Sequence, residues 1–278
     1  MKSTSTQRNY EVSFNQFLKV NSLYENDIQN IEPKKLAEMI DKTFESYDGN
    51  NRTKLTKISG VRSYIDTHYK IEIPKSRIRK DYSRDTLRKT NKTLVSIEEI
   101  DALIKHFEKL HSESDRLEKI PTLRNLLLIK LLAGTGQRIS DILNLSVETA
   151  KKTLLHIKQI KTGQDVTIEN PCLPEILKYI AVTKLSDSDF LFASGLTRKP
   201  LSYQQAESII RNESGKVFGK SITSHYFRSY VVSRLIALGN HPNDIMAVTG
   251  HVDTRMIDYY NKTKGNITGL TTKLLMVG

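Results

Sequence analysis

The 278-residue chain contains a single cysteine, Cys172, so it can form neither a disulfide nor a cysteine-based zinc site within one chain. It also lacks an apolar run of transmembrane length, because the longest candidate, residues 126–133, is interrupted by Lys130. Residues 1–9 are polar and offer no apolar core of a secretory signal. Glycine and proline are scarce, at 13 and 7 residues, and a hydrophobic content of 38% is sufficient to build a core. We therefore expect a soluble protein of a reducing, cytoplasmic compartment with no membrane partner.

Acidic residues are too few to balance the basic ones, and the net charge is +12. The excess is concentrated, since residues 51–92 carry 13 basic and 4 acidic side chains. Such a stretch in a folded protein is typical of polyanion binding. A solvated linker without a partner remains the alternative, and an anionic membrane surface is disfavoured because the stretch has no amphipathic aromatic face. The basic residues that we expect to contact nucleic acid are Arg52, Lys54, Lys57, Lys75, Arg77, Arg79, Lys80, Arg84, Arg88 and Lys89.

Hydrophobic periodicity predicts a mainly α protein with a small antiparallel β-sheet. Apolar residues at helical spacing predict several short helices over the first ninety residues, and Pro33 suits the first turn of the second helix. Residues 153–170 instead alternate and contain turn residues, which predicts a β-hairpin with Lys161 at its tip. We therefore expect a helical N-terminal domain over 1–75, a basic linker over 76–95, and a mixed α/β domain over 96–278.

Several side chains in the second domain are candidates for chemistry, although each alone is a weak signal. His225 and Arg228 are three residues apart on a predicted helix and so share one face. The ordered set of candidates is Arg138, Lys161, His225, Arg228, His251 and Tyr260. This order resembles the catalytic signature of the tyrosine recombinases, the phage-integrase and Xer-like family.

The resemblance extends to local strings and covers roughly residues 96–262. Residues 133–145, AGTGQRISDILNL, are similar to the first arginine box of the family, and residues 160–163, IKTG, are similar to its hairpin-lysine turn. The N-terminal helical region resembles the core-binding domain of the family. One departure is Gln137, where the family more often has an apolar residue, and we do not expect it to affect the chemistry.

The resemblance assigns a role to each candidate. Arg138 and Arg228 would clamp the non-bridging oxygens of a DNA phosphate, because guanidiniums bind oxyanions bidentately and stay protonated. Tyr260 would attack the phosphorus and form a 3′-phosphotyrosyl bond.

Three further residues would handle protons or bind the phosphate. Lys161 would protonate the leaving 5′-oxygen as general acid, His225 would handle protons on the nucleophile side, and His251 would donate a hydrogen bond to the phosphate.

Two of these assignments have competitors. Tyr259 adjoins Tyr260 and points about 100° away on a helix, so only one can face the phosphate. The spacing from His251 in the family selects Tyr260. Lys158 competes with Lys161, but it is predicted within a strand, whereas Lys161 lies at the turn and has greater reach.

The resemblance implies a site-specific DNA recombinase that passes through a Holliday junction and needs no metal, ATP or other cofactor. Its expected partners are double-stranded DNA with a specific core site, three further copies of the chain in a homo-tetramer on two DNA sites, and accessory proteins of the host or of a mobile element. Its expected location is the nucleoid of a bacterial or phage-infected cell. The apolar tail, residues 261–278, would dock on a neighbouring protomer or fold back in cis. The alternatives are a type IB topoisomerase-like enzyme and a non-catalytic DNA-binding regulator on a recombinase scaffold.

Overall fold

The computed structural model describes residues 4–75, 78, 96–193, 199–253 and 257. The chain divides into two compact units, residues 1–93 and 94–278. Within the described ranges, no helix is both long and apolar enough to cross a membrane.

The first unit is helical and is built around one apolar core. Its aromatic residues Phe14 and Phe17 from the first helix are fully buried, together with Ile58, Val61 and Ile65 from the last helix. Because these residues recur at three- and four-residue spacing, each helix buries one face. The elements are α1 (Thr4–Val20), a 3-10 helix (Glu25–Asn30), α2 (Pro33–Lys42) and α3 (Asn51–Tyr69).

The chain after α3 stays with the first unit. Ile71, Ile73 and Ile78 pack against its core. Arg62 of α3 donates to the carbonyl oxygen of Pro74 and forms an ion pair of 2.8 Å with Asp41 of α2. The described segment after α3 is therefore anchored by both apolar and polar contacts.

In the described part of the second unit, eight helices and two strands pack around a larger apolar core. The central helix is α5, whose residues Leu127, Leu128, Ile129, Leu131 and Leu132 are all buried. A helix that is apolar on all sides has to be covered by its neighbours, here α4, α8 and α10. The elements are α4 (Ile97–Glu113), α5 (Lys119–Thr135), α6 (Ile139–Leu143), α7 (Val147–Ala150), β1 (Leu154–Lys158), β2 (Asp165–Glu169), α8 (Leu173–Thr183), α9 (Tyr203–Phe218), α10 (Ser224–Ala237) and α11 (Pro242–Thr249).

The two strands form an antiparallel hairpin with one buried face. Leu155 pairs with Ile168 and Ile157 with Val166, and these four side chains face the core while the intervening ones are exposed. Alternation in the sequence thus sets the register, since a slip by one residue would expose all four. The mainly α fold with a small antiparallel sheet, as predicted, is confirmed.

Candidate active site

Arg138 is positioned by the turn that ends α5. The helix is capped by Gly136, whose φ of +62° a side chain would adopt only with strain, and a Cβ there would lie 2.9 Å from Val231 of α10. Arg138 follows as the N-cap residue of α6. Its side chain is 23% exposed, and its Nη1 donates to Oε1 of Gln159 and lies 3.9 Å from Oδ2 of Asp141. The side chain is therefore oriented while part of it stays accessible.

Arg228 reaches the same turn from the core of α10. Arg228 is only 2% exposed. Its Nη1 donates to the carbonyl oxygen of Gly136 at 3.0 Å, and its Nε donates to Nε2 of His251 at 3.3 Å. The Gly136 turn, two residues before Arg138, thus links the two predicted arginines. His225, one helical turn earlier on α10, is exposed.

His251 follows the C-terminal glycine cap of α11 and is neutral. Its Nδ1 lies 2.7 Å from Oγ1 of Thr249, whose hydroxyl donates to the carbonyl oxygen of Ile245, so Nδ1 carries the proton and donates it to Thr249. Nε2 is then the acceptor for Arg228. Burial, and after it the charges of Arg228, Arg138 and His225, together lower the pKa of His251 to about 3.

Lys161 lies exposed in the turn of the β-hairpin. The turn is closed by backbone hydrogen bonds of 2.8 Å between Gln159 and Gln164 and between Gly163 and Gln159. The amide of Ile160 donates to Oδ1 of the buried Asp141 at 3.0 Å. The segment that carries Lys161 is therefore tied to α6, next to Arg138.

Three buried polar residues of the site were not identified from the sequence as functional. Asp141 lies close to both arginines; burial raises the pKa of its carboxyl, and the amide of Ile160 and the two guanidiniums oppose that rise. Gln137 and Gln159 are 1% and 0% exposed and hydrogen-bond to each other at 2.8 Å. The available signal was Gln137, an amide at a position where the resembled family has an apolar residue.

The basic residues of the first unit occupy different environments. Arg52 and Lys75 are exposed. Lys54 forms an ion pair of 3.1 Å with Glu45. Lys57 donates to Gln16 at 3.3 Å and lies 5.1 Å from the centroid of the Tyr47 ring, so both lysines have intramolecular partners. The predicted residues outside the described part of the chain are Arg77, Arg79, Lys80, Arg84, Arg88, Lys89, Tyr259 and Tyr260.

The assembled groups carry a net positive charge. Two guanidiniums face one buried carboxylate and a neutral imidazole, which leaves an excess of positive charge among hydrogen-bond donors. Among the residues that the structure describes, no group of three His, Cys, Asp or Glu side chains is arranged to hold a metal ion.

Comparison with known proteins places this arrangement in context. Tyrosine recombinase XerA of Pyrococcus furiosus is 29% identical over 154 residues, which are 52% of this chain and 53% of that protein. The chain thus spans about half the length of this relative. The solved structure of XerH site-specific recombinase bound to palindromic difH substrate, a post-cleavage complex, aligns with a TM-score of 0.64 at 19% identity over 93% of this chain and 76% of that one.

A second solved structure is similar over nearly the whole chain. The lambda integrase tetramer bound to a Holliday junction aligns with a TM-score of 0.55 at 17% identity, over 94% of this chain and 72% of that one. Both structural likenesses concern the fold. The sequence profile described as the phage integrase family matches residues 95–266, more than half of the chain. The chain is therefore a member of the phage integrase family, the tyrosine recombinases.

Proposed function

We propose that this protein is a site-specific DNA recombinase that cleaves and rejoins DNA strands through a 3′-phosphotyrosyl intermediate. The observation that carries the proposal is the convergence of Arg138 and Arg228 beside His251, on segments far apart in the sequence. A diester phosphate gains negative charge on its non-bridging oxygens during attack. Two fixed guanidiniums beside one phosphate would stabilise that charge more than the charge of the ground state.

The proposed reaction exchanges one phosphodiester for another. The phenolic oxygen of Tyr260 attacks the phosphorus, the bond from phosphorus to the 5′-oxygen breaks, and the phenolic proton leaves toward His225. Lys161 gives a proton to the departing 5′-oxygen. Because the phosphotyrosyl bond is itself a phosphodiester, a 5′-hydroxyl from a second strand can reverse the step without ATP.

His251 would take part only after its proton arrangement changes. Without DNA, its Nε2 accepts a hydrogen bond from Arg228. To donate a hydrogen bond to a phosphate, that nitrogen needs a proton. An incoming phosphate would offset the positive charge of Arg138 and Arg228 and so raise the pKa of the imidazole. We infer that DNA binding brings a proton to His251.

Assembly and DNA binding belong to the same proposal. The lambda integrase tetramer on a Holliday junction supports a tetramer of this chain on two DNA sites, and the XerH complex with its difH substrate supports a specific double-stranded site. The first unit and its basic residues would hold the DNA backbone, and the exposed side chains of Arg52 and Lys75 are available for such contacts. Phosphate contacts of this kind make affinity depend strongly on salt. We further propose that the tail, residues 261–278, contacts a neighbouring protomer.

Covalent trapping tests the proposed nucleophile. A pool of nicked duplexes with a randomised centre is incubated with the full chain, and DNA that becomes attached to protein is recovered and sequenced. We expect a defined site to emerge, and we expect Tyr260→Phe to abolish the adduct on it while the matched variant Tyr259→Phe retains it. Adduct formation by Tyr260→Phe at the wild-type rate would rule out this nucleophile.

The same site tests the general acid and the rival functions. Lys161→Ala is expected to slow cleavage of a 5′-oxygen far more than cleavage of a 5′-thio leaving group, which departs without a proton; equal slowing would contradict the role. Relaxation of supercoiled DNA without a paired site would instead favour a topoisomerase. Specific binding with no adduct would favour a regulator.

A further inference from the structure

A buried carboxamide lies where the segments of the active site meet. Oε1 of Gln159 accepts hydrogen bonds from Nη1 of Arg138 and from Oγ1 of Thr162, the latter at 2.8 Å. Its Nε2 donates to Oε1 of Gln137 and to the carbonyl oxygen of Thr249, each at 2.8 Å. Two acceptor positions and two N–H groups are all that a carboxamide has, so Gln159 is fully used.

The orientation of both amides is fixed by their partners. A flipped Gln159 would direct its N–H groups at the Arg138 donor and its oxygen at the carbonyl of Thr249. Gln137 donates from Nε2 to the carbonyl oxygen of Val248 at 2.6 Å while its oxygen accepts from Gln159, so it cannot flip either. A buried network in which each amide has one workable orientation is rigid.

The network joins three separate parts of the chain. Arg138 follows α5, and Gln159 opens the turn that carries Lys161. The carbonyls of Val248 and Thr249 lie at the end of α11, which one glycine separates from His251. The approach is close, because a Cβ on Gly250 would overlap the carboxamide of Gln159. One side chain thus contacts the three segments that present Arg138, Lys161 and His251.

Resting on the proposed recombinase function, we propose that Gln159 is a positioning residue for it. Its carboxamide holds the guanidinium of Arg138 and the Lys161 turn in a fixed relation, and Gln137 holds the carboxamide in turn. The contacts of Arg138 with Gln159 and with Asp141 both use Nη1. They orient the planar group through that nitrogen before any phosphate binds. Such preorganisation avoids the cost of ordering the group during the reaction.

Side-chain NMR of the full chain without DNA tests the positioning directly. Gln159→Met keeps the length of the side chain but removes all four hydrogen bonds. In the wild type, we expect the guanidinium protons of Arg138 to exchange slowly with solvent and the rotation of the group to be restricted. In Gln159→Met, rotation should average the guanidinium signals, and the amide proton of Gly163 should exchange faster than in the wild type. Gln164→Met, the same change at an exposed position of the same turn, is the matched control and should leave both signals unchanged. Unaltered Arg138 and Gly163 signals in Gln159→Met would overturn the proposal.

Cleavage rates test the consequence for catalysis. Gln159→Met is expected to slow adduct formation by about 10- to 100-fold on a 5′-oxygen substrate, and by less on a 5′-thio substrate, because part of the loss acts through Lys161. A general loss of structure would slow adduct formation on both substrates by the same factor, and that result would overturn the proposal. The double variant with Gln137→Met should be no slower than Gln159→Met alone, since both act on one network.

Two further variants keep the test informative if Gln159→Met fails to fold. Gln137→Met leaves the contact between Gln159 and Arg138 but removes its anchor, so a smaller effect in the same direction is expected. Gln159→Glu keeps the acceptor for Arg138 and loses the donors, so Arg138 should stay restricted while the contact with Thr249 is lost. If wild-type protein forms no adduct on any DNA, the recombinase proposal fails, and the NMR comparison still decides whether Gln159 positions Arg138.

Discussion

Gly250→Ala is expected to lower the free energy of unfolding far more than Gly239→Ala does. Both glycines have a positive φ and lie just after the end of a helix. Gly250 has φ +65° and Gly239 has φ +80°. A Cβ at position 250 would overlap Gln159, whereas none of the described atoms lies within 4 Å of a Cβ built at position 239. The pair of variants therefore separates the backbone cost from the cost of disturbing the buried amides.

The backbone cost is similar at the two positions. An alanine in the left-handed region costs about 1–2 kcal/mol, and the reduced freedom of the unfolded chain returns roughly 0.4–1 kcal/mol. Gly239→Ala should therefore lower the free energy of unfolding by about 1 kcal/mol. Gly250→Ala must also displace Gln159, and each buried group left without a partner costs about 1–3 kcal/mol. We expect a total loss of about 3–5 kcal/mol for Gly250→Ala.

Urea unfolding of the full chain, followed by circular dichroism, measures the two losses. Hydrogen exchange of amides in α10 and α11 assigns the transition to the second unit. Adding Gln159→Ala to Gly250→Ala removes the overlap, so the double variant should lose less than the sum of the single changes. Equal losses for Gly250→Ala and Gly239→Ala would refute the close packing of Gln159 against α11.

Two other predictions follow from the same unit. Because the pKa of His251 is lowered from 6.5 to about 3 in the folded protein, the unfolded chain takes up its proton first as the pH falls. The contribution of His251 to the free energy of unfolding is therefore complete above pH 6.5 and is lost toward pH 3, by at most about 1.4 kcal/mol per pH unit. Urea unfolding of the wild type and of His251→Gln between pH 7 and 5 measures this loss. The same pH dependence of the free energy of unfolding in both proteins would contradict it. The buried side chain of Glu207 caps the start of α10, because it accepts a hydrogen bond of 3.2 Å from the amide of Ser224. Glu207→Gln should therefore lower the free energy of unfolding by about 1–2 kcal/mol. An unchanged urea midpoint would show that this cap is dispensable.

The fold could be predicted largely from local patterns. Alternation at Leu155 and Ile157 sets the hairpin, and Pro33 marks the first turn of α2, because such signals act over a few residues. Charge alone could not separate Lys54, which is paired with Glu45, from Lys75, which is exposed. Composition carries no information on which lysine finds an intramolecular partner.

The candidate site was predictable only in the residues of the family signature. Arg138, Arg228 and His251 were identified by the order of motifs. Gln159 was not, because its role depends on partners 21, 22 and 90 positions away in the sequence. Gln137 departs from the apolar residue that the resembled family more often has, and the sequence alone predicts no effect of it on the chemistry. A buried amide inside a catalytic string requires a partner, and that reasoning would have led to Gln159.

The most direct test of the account is the crystal structure of Tyr260→Phe bound to its selected DNA site. The account predicts that one phosphate is contacted by the guanidiniums of both Arg138 and Arg228, with His251 donating to the same group. Arginines bound to different phosphates, or a cleavage-site phosphate held elsewhere on the protein, would contradict it.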